Sequence, residues 1–221
     1  KPAAEDFRIY WDNAYCIHHL YEDHQDHILE ILEECEKAGN PDMVFEFAST
    51  SKVTFPGSGV AALASSAANL ADIKKQLTIQ TIGYDKINQL RHVRFFKDIN
   101  GLKEHMKKHA DFLRPKFEAT LKVLEDELTG LGIGTWSEPR GGYFISFDAL
   151  SGCAKAIVAK CKEAGVVLTN AGATFPYGKD PEDSNIRIAP SFPTPEEMSE
   201  AAELFVLCVK LVSVEKLLES K

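Results

Sequence analysis

Two short apolar runs with chemically distinctive ends constrain this chain more than any other feature. Phe7-Arg8-Ile9-Tyr10-Trp11 reads as a strand over 7–11, and Val44, Phe45 and Phe47 mark another over 43–48. Between them Ile28, Ile31, Leu32 and Cys35 share one face of a helix over about 26–38, with Gly39 as its stop. Strand, helix, strand is the arrangement in which α/β sheets collect ligand-binding side chains at their carboxyl edge. The first strand runs out into Asp12-Asn13-Ala14-Tyr15 and the second into Ser49-Thr50-Ser51-Lys52.

A carboxylate, a phenol, small hydroxyls and one amine are the parts of a pyridoxal 5'-phosphate (PLP) site. PLP works as an electron sink only while its ring nitrogen stays protonated, which calls for a buried carboxylate beside it; Asp12 is the candidate. The aldehyde must be held by a lysine whose amine can lose its proton, and Lys52 is the candidate catalytic residue. Tyr15 can reach the ring's 3-hydroxyl oxygen, while Ser49 and Ser51, with nearby backbone amides, supply convergent donors for the phosphate. Taken singly, each residue has a plainer reading: lysines are mostly exposed, and an aspartate at a strand end is commonly a turn former. Their combined order favours the cofactor site.

These motifs resemble those of fold-type I, class I/II PLP-dependent aminotransferases, whose pattern is D-x-A-Y, then S-x-S-K, then a late arginine. Asn185-Ile186-Arg187-Ile188-Ala189-Pro190 carries that arginine, and the resemblance implies that Arg187 grips the substrate α-carboxylate through a planar two-bond fork. Pro139-Arg140-Gly141-Gly142-Tyr143-Phe144 and Thr169-Asn170-Ala171-Gly172-Ala173-Thr174-Phe175 match two further family segments. The run Ser51-Lys52-Val53-Thr54-Phe55-Pro56-Gly57 is similar to the MocR-like, or alanine–glyoxylate/aspartate aminotransferase-like, subgroup. Where most of the family has a phosphate-binding arginine this chain has Val60, and Ser58 or its neighbouring glycine amides are the expected substitutes.

The family's chain normally runs to roughly twice this length, so the resemblance implies the C-terminal portion of a longer polypeptide, inactive alone. The expected fold class is α/β: residues 1–98 as the C-terminal part of a PLP-binding large domain with a mostly parallel sheet, and residues 99–221 as a small C-terminal αβ domain. In the first part a further strand is expected at 60–64, with helices near 68–77 and 85–97. The second opens on a helical pattern over about 101–129, kinked at Pro115. Strands at 142–148, 166–168 and 185–189 and a helix at 152–164 closed by Gly165 follow. A final helix starts at Thr194-Pro195 with Glu197 completing a capping box.

A formal charge of −8 and the lack of a basic stripe argue against a nucleic-acid surface. No apolar run approaches the ~18 residues of a membrane span. Five cysteines without paired spacing fit a reducing cytoplasm. His18, His19, His24 and His27 lack a helical i, i+4 pair; no metal site is assigned, and His18 and His19 are read as groups packed behind the Asp12–Tyr15 strand. The implied function is amino-group transfer between an α-amino acid, of aspartate or alanine type, and a 2-oxo acid, by a homodimer with Ile82–Gln89 as a candidate contact. The alternative is the PLP-sensing domain of a MocR-type transcription regulator.

Overall fold

The computed structural model describes residues 4–219, which divide into two compact units: residues 4–19 with 25–107, and residues 20–24 with 108–219. In the first unit β1 (Ile9–Asp12) and β2 (Val44–Ser49) pair in parallel, Ile9 opposite Val44 and Asp12 opposite Phe47. β3 (Ala61–Ser65) then joins β2 antiparallel, giving the order β1-β2-β3. The helix between the parallel strands, α1 (Ile31–Lys37), is shorter than its apolar pattern predicts. Glu30 is the reason: its carboxylate accepts the Leu32 N–H at 3.0 Å and caps the helix there, leaving Ile28 and Leu29 exposed. Ile31 and Cys35 bury against Val44, with Ile9, Trp11 and Met43 packed around them. Because side chains alternate along a strand, Tyr10 and Asp12 face the other way, and Tyr10 stacks on Phe45 at 5.5 Å and on Phe47 at 6.0 Å.

After β3 come α2 (Ala67–Gln80), capped by Ser66, and α3 (Lys86–Phe96), capped by Asp85, whose carboxylate accepts the Asn88 N–H at 2.9 Å. α4 (Ile99–Leu128) is one helix whose residues up to 107 belong to the first unit and the rest to the second, and it runs unbroken through Pro115.

The second unit packs α4 from Leu113 onward, α5 (Ala154–Glu163) and α6 (Pro195–Glu219) on a sheet of β4 (Gly134–Trp136), β5 (Ile145–Ala149) and β6 (Asn185–Ile188). Ile145, Phe147 and Ala149 alternate inward on β5 and meet Phe117, Leu124, Ile157, Ile186 and Val209 in the core. Both ladders of this sheet are antiparallel, β4 to β5 and β5 to β6. The capping box is present: Glu197 accepts the Thr194 N–H at 2.8 Å, and the Thr194 hydroxyl accepts the Glu197 N–H at 3.2 Å.

The expected mostly parallel sheet is therefore overturned. Each unit has a three-stranded sheet, one mixed and one antiparallel, and β1–β2 is the one parallel pair among the described residues. The cause lies in the connections: residues 50–60 form a loop rather than a crossover helix, so the chain returns antiparallel. The run 166–168 is not a strand. Val166 and Leu168 are partly buried by packing on the core, and the Val166 N–H caps α5 through the Cys161 carbonyl at 2.8 Å. β4 escapes a sequence reading because Gly134 looks like a breaker, whereas a Cβ there would lie 2.5 Å from Phe147 Cζ.

Candidate functional site

Parallel pairing brings the two strand-end motifs to one edge. β1 ends at Asp12 and β2 at Ser49, and the ladder extends one step further through the Asn13 N–H to the Phe47 carbonyl at 2.7 Å. Asn13 also ties the strands by its side chain, accepting from Trp11 Nε1 at 3.1 Å and donating to Glu46. Burial, then repulsion from Glu30, raises the Glu46 carboxyl above the ordinary range, with the Asn13 bond opposing.

Asp12 accepts the Ala14 N–H on Oδ1 at 3.1 Å, forming the turn that swings Tyr15 around the strand end. Its side chain is exposed rather than buried, because it lies on the outward face of β1 with Tyr10. The Tyr15 carbonyl accepts the His18 N–H at 3.0 Å, and the two rings meet edge-on at 5.8 Å. His18, 3% exposed, connects this turn to the next: its Nε2 lies 2.9 Å from the Lys52 carbonyl. A carbonyl only accepts, so Nε2 carries the proton.

Lys52 sits in a turn closed by the Val53 and Thr54 amides, which both donate to the Thr50 carbonyl, at 2.9 and 2.8 Å. Its backbone is thus fixed on two sides, while its side chain is exposed and has no ion-pair partner among the described residues. Ser49 Oγ accepts weakly from the Ser51 N–H at 3.4 Å. The Ser58 N–H is used internally, donating to the Phe55 carbonyl at 3.2 Å.

Burial holds the His18 imidazole below the ordinary histidine range; the Lys52 and Tyr15 backbone groups pull upward but do not win. The folded form therefore favours the neutral ring, and the unfolded chain binds the extra proton first as pH falls. Stability from this group is present above the unfolded value of about 6.5 and is lost below it. We expect thermal stability to drop between pH 7.5 and pH 5.5, and His18→Gln, whose amide can still donate to the Lys52 carbonyl, to lose less over that interval. Melting curves of the two proteins at both pH values check this; parallel losses would contradict it.

In the second unit Arg187 is on β6, opposite Ser146 on β5. Its guanidinium carbon lies 4.5 Å over the Phe144 ring, and its buried Nε has no hydrogen-bond partner among the described residues. Two residues earlier on the same face, Asn185 donates to Ser146 Oγ at 2.9 Å and Asp148 at 2.8 Å and accepts from Thr174 at 2.6 Å. The segment 169–175 is thereby pinned to the strand that bears the arginine.

Sequence reasoning missed Thr50, Asn88, Arg91 and His92. Thr50 Oγ1 accepts the Val60 N–H at 2.9 Å, and His92 on α3 reaches Thr50 and Thr54. Among the described residues no three His, Cys, Asp or Glu side chains gather as metal ligands would.

The fold is α/β: one unit has a parallel strand pair followed by the segments that carry Asp12 and Lys52, and the other has an antiparallel sheet bearing the half-buried Arg187. The family model described as aspartate amino-transferase matches residues 1–221, and the chain belongs to that family. A curated aspartate aminotransferase from Corynebacterium glutamicum is 42% identical over 215 residues, 97% of this chain and 50% of the relative. A relative from Mycolicibacterium smegmatis is 46% identical over 219 residues, 99% of this chain and 51% of its own length. A crystal structure of an aspartate transaminase from Corynebacterium glutamicum superposes with a TM-score of 0.93 at 42% identity, covering 98% of this chain and 51% of that one. Fold likeness extends to the α-aminoadipate aminotransferase LysN from Thermus thermophilus, solved with N-(5'-phosphopyridoxyl)-L-leucine, at TM-score 0.73 and 20% identity over 93% of this chain. The chain spans about half the length of the curated relatives it matches.

Proposed function

We propose that this chain is the C-terminal portion of a PLP-dependent aminotransferase that moves an amino group from an α-amino acid, of aspartate type, to a 2-oxo acid. The observation that supports this reading is the parallel pairing of β1 and β2, which sends the Asp12–Tyr15 and Ser49–Lys52 segments off the same edge of the sheet. The donor set fits the cofactor: an acid for a ring nitrogen, a phenol for a ring oxygen, hydroxyls for phosphate, and a primary amine free of any carboxylate among the described residues.

When bound, PLP supplies the electron sink that weakens the bond to the substrate's α-hydrogen. Asp12 would keep a proton on the ring nitrogen by its negative charge. Tyr15 would donate to the ring oxygen. Ser49 and Ser51, with Ser58, would receive the phosphate. Lys52 would hold the cofactor's aldehyde, and its free Nζ would take the substrate's α-proton as a base and deliver that same proton to the cofactor-bound carbon as an acid. Arg187 is assigned to the substrate carboxylate on its motif, and the unpartnered Nε supports the assignment.

The same reading makes residues 1–98 part of the cofactor-binding domain and residues 99–221 the small one. It also makes the assembled enzyme a homodimer, with Ile82, Tyr84 and Ile87, now exposed, as contact residues. Five free thiols accord with a cytoplasmic setting, and among the described residues no helix is long and apolar enough to cross a membrane.

The test is an amino-donor screen on the complete polypeptide loaded with PLP. Aspartate is expected to lose its amino group to a 2-oxo acid, whereas bound PLP without transfer from any α-amino acid would turn the reading toward a sensor domain.

A further inference from the structure

The loop that carries Lys52 is held by α3, a helix to which the motifs above assign no part in binding cofactor or substrate. Asn88 Nδ2 donates to the Gly59 carbonyl at 2.8 Å. Arg91 Nη2 donates to the Ser58 carbonyl at 3.1 Å and to Asn88 Oδ1 at 2.7 Å. One turn on, His92 Nε2 lies 3.2 Å from Thr50 Oγ1 and 3.0 Å from Thr54 Oγ1. His92 Nδ1 lies 2.9 Å from the Asn88 carbonyl, so Nδ1 carries a proton and, in the neutral ring, Nε2 accepts from a threonine hydroxyl.

Thr50 is the hub of this arrangement. Its amide donates to the Val60 carbonyl and its hydroxyl accepts the Val60 N–H, both at 2.9 Å, so one residue closes the loop at both ends. Its carbonyl receives the Val53 and Thr54 amides that form the turn around Lys52. The closure is tight: a Cβ on Gly59 would lie 2.9 Å from Thr50 Oγ1, which is why the hydroxyl can sit there only against a glycine. Lys52 falls inside this turn, with its own carbonyl held by His18. These bonds hold the loop's backbone and its threonine hydroxyls, and none restrains the lysine side chain.

We propose that Thr50 and His92 form a positioning clamp that fixes the Lys52 backbone at the sheet edge, so that the amine works from one place throughout the transfer cycle. The catalytic consequence rests on the aminotransferase reading; the clamp itself rests on the hydrogen bonds. Neither residue is assigned a contact with cofactor or substrate. A reacting group displaced by about 1 Å loses up to ~100-fold in rate, which sets the scale of the effect.

The experiment uses the complete polypeptide with two pairs of variants. Thr50→Val removes the hydroxyl and keeps the branched shape, and Thr50→Ser keeps the hydroxyl; His92→Phe removes the acceptor, and His92→Gln keeps one. Amide exchange in the cofactor-free protein reads the clamp. The Val60 amide is expected to exchange at least ~10-fold faster in Thr50→Val and near the wild-type rate in Thr50→Ser. Loaded with PLP, Thr50→Val is expected to lose about 10- to 100-fold in kcat with little change in KM, and Thr50→Ser to recover most of it. If Thr50→Val does not fold, the His92 pair is read in the same way. Wild-type exchange and kcat in Thr50→Val, or an equal loss in Thr50→Ser, would overturn the clamp. A wild-type protein that transfers no amino group would overturn the aminotransferase reading instead, and the exchange rates would still decide the clamp.

Discussion

Lys52→Ala in the complete polypeptide is expected to abolish both amino transfer and the long-wavelength absorbance of covalently held PLP. The structure makes this a clean substitution. The Lys52 side chain is exposed and without an ion pair among the described residues, and the contact that ties it to the fold, from His18, goes to its backbone carbonyl. Alanine keeps that carbonyl, so the fold and its melting temperature are expected to change little while the chemistry disappears. An absorbance spectrum, a melting curve and an assay on one preparation check all three; a variant that retained turnover would refute the role given to the amine.

Asp12→Asn carries the second large effect. Oδ1 of Asp12 accepts the Ala14 N–H, and an asparagine oxygen can accept the same bond, so the turn toward Tyr15 is expected to persist. The neutral amide cannot hold a proton on a pyridine nitrogen as an anion does. PLP is therefore expected to bind nearly as tightly, while transfer slows on the order of 10²- to 10³-fold, as when one preorganised electrostatic partner is removed. Cofactor titration followed by single-turnover rates separates the two quantities. An unchanged rate would count against an acid at the ring nitrogen.

What could be read from the sequence was local. The strand ends were legible because each motif directly follows an apolar run that becomes β1 or β2. The capping box at Thr194 was legible because all of its atoms lie within one helical turn. Direction was not legible. Whether β3 returns parallel or antiparallel depends on how residues 50–60 close, and that closure depends on Thr50, Val60 and His92, the last lying 42 residues beyond Thr50. Nor did apolar content tell pairing from packing: Val166 and Leu168 bury without a ladder, while three residues opened by a glycine, Gly134–Trp136, form one. The burial expected for Asp12 was inferred from what a cofactor needs, whereas the backbone alternation of β1 turns that side chain outward.

The central claim is that the amine at position 52 is the group that condenses with the cofactor. Borohydride reduction of the PLP-loaded complete polypeptide, followed by peptide mapping, tests it most directly. A stable pyridoxyl label on Lys52 alone is the predicted result. A label on any other lysine, or none on a protein that binds PLP and transfers amino groups, would contradict it.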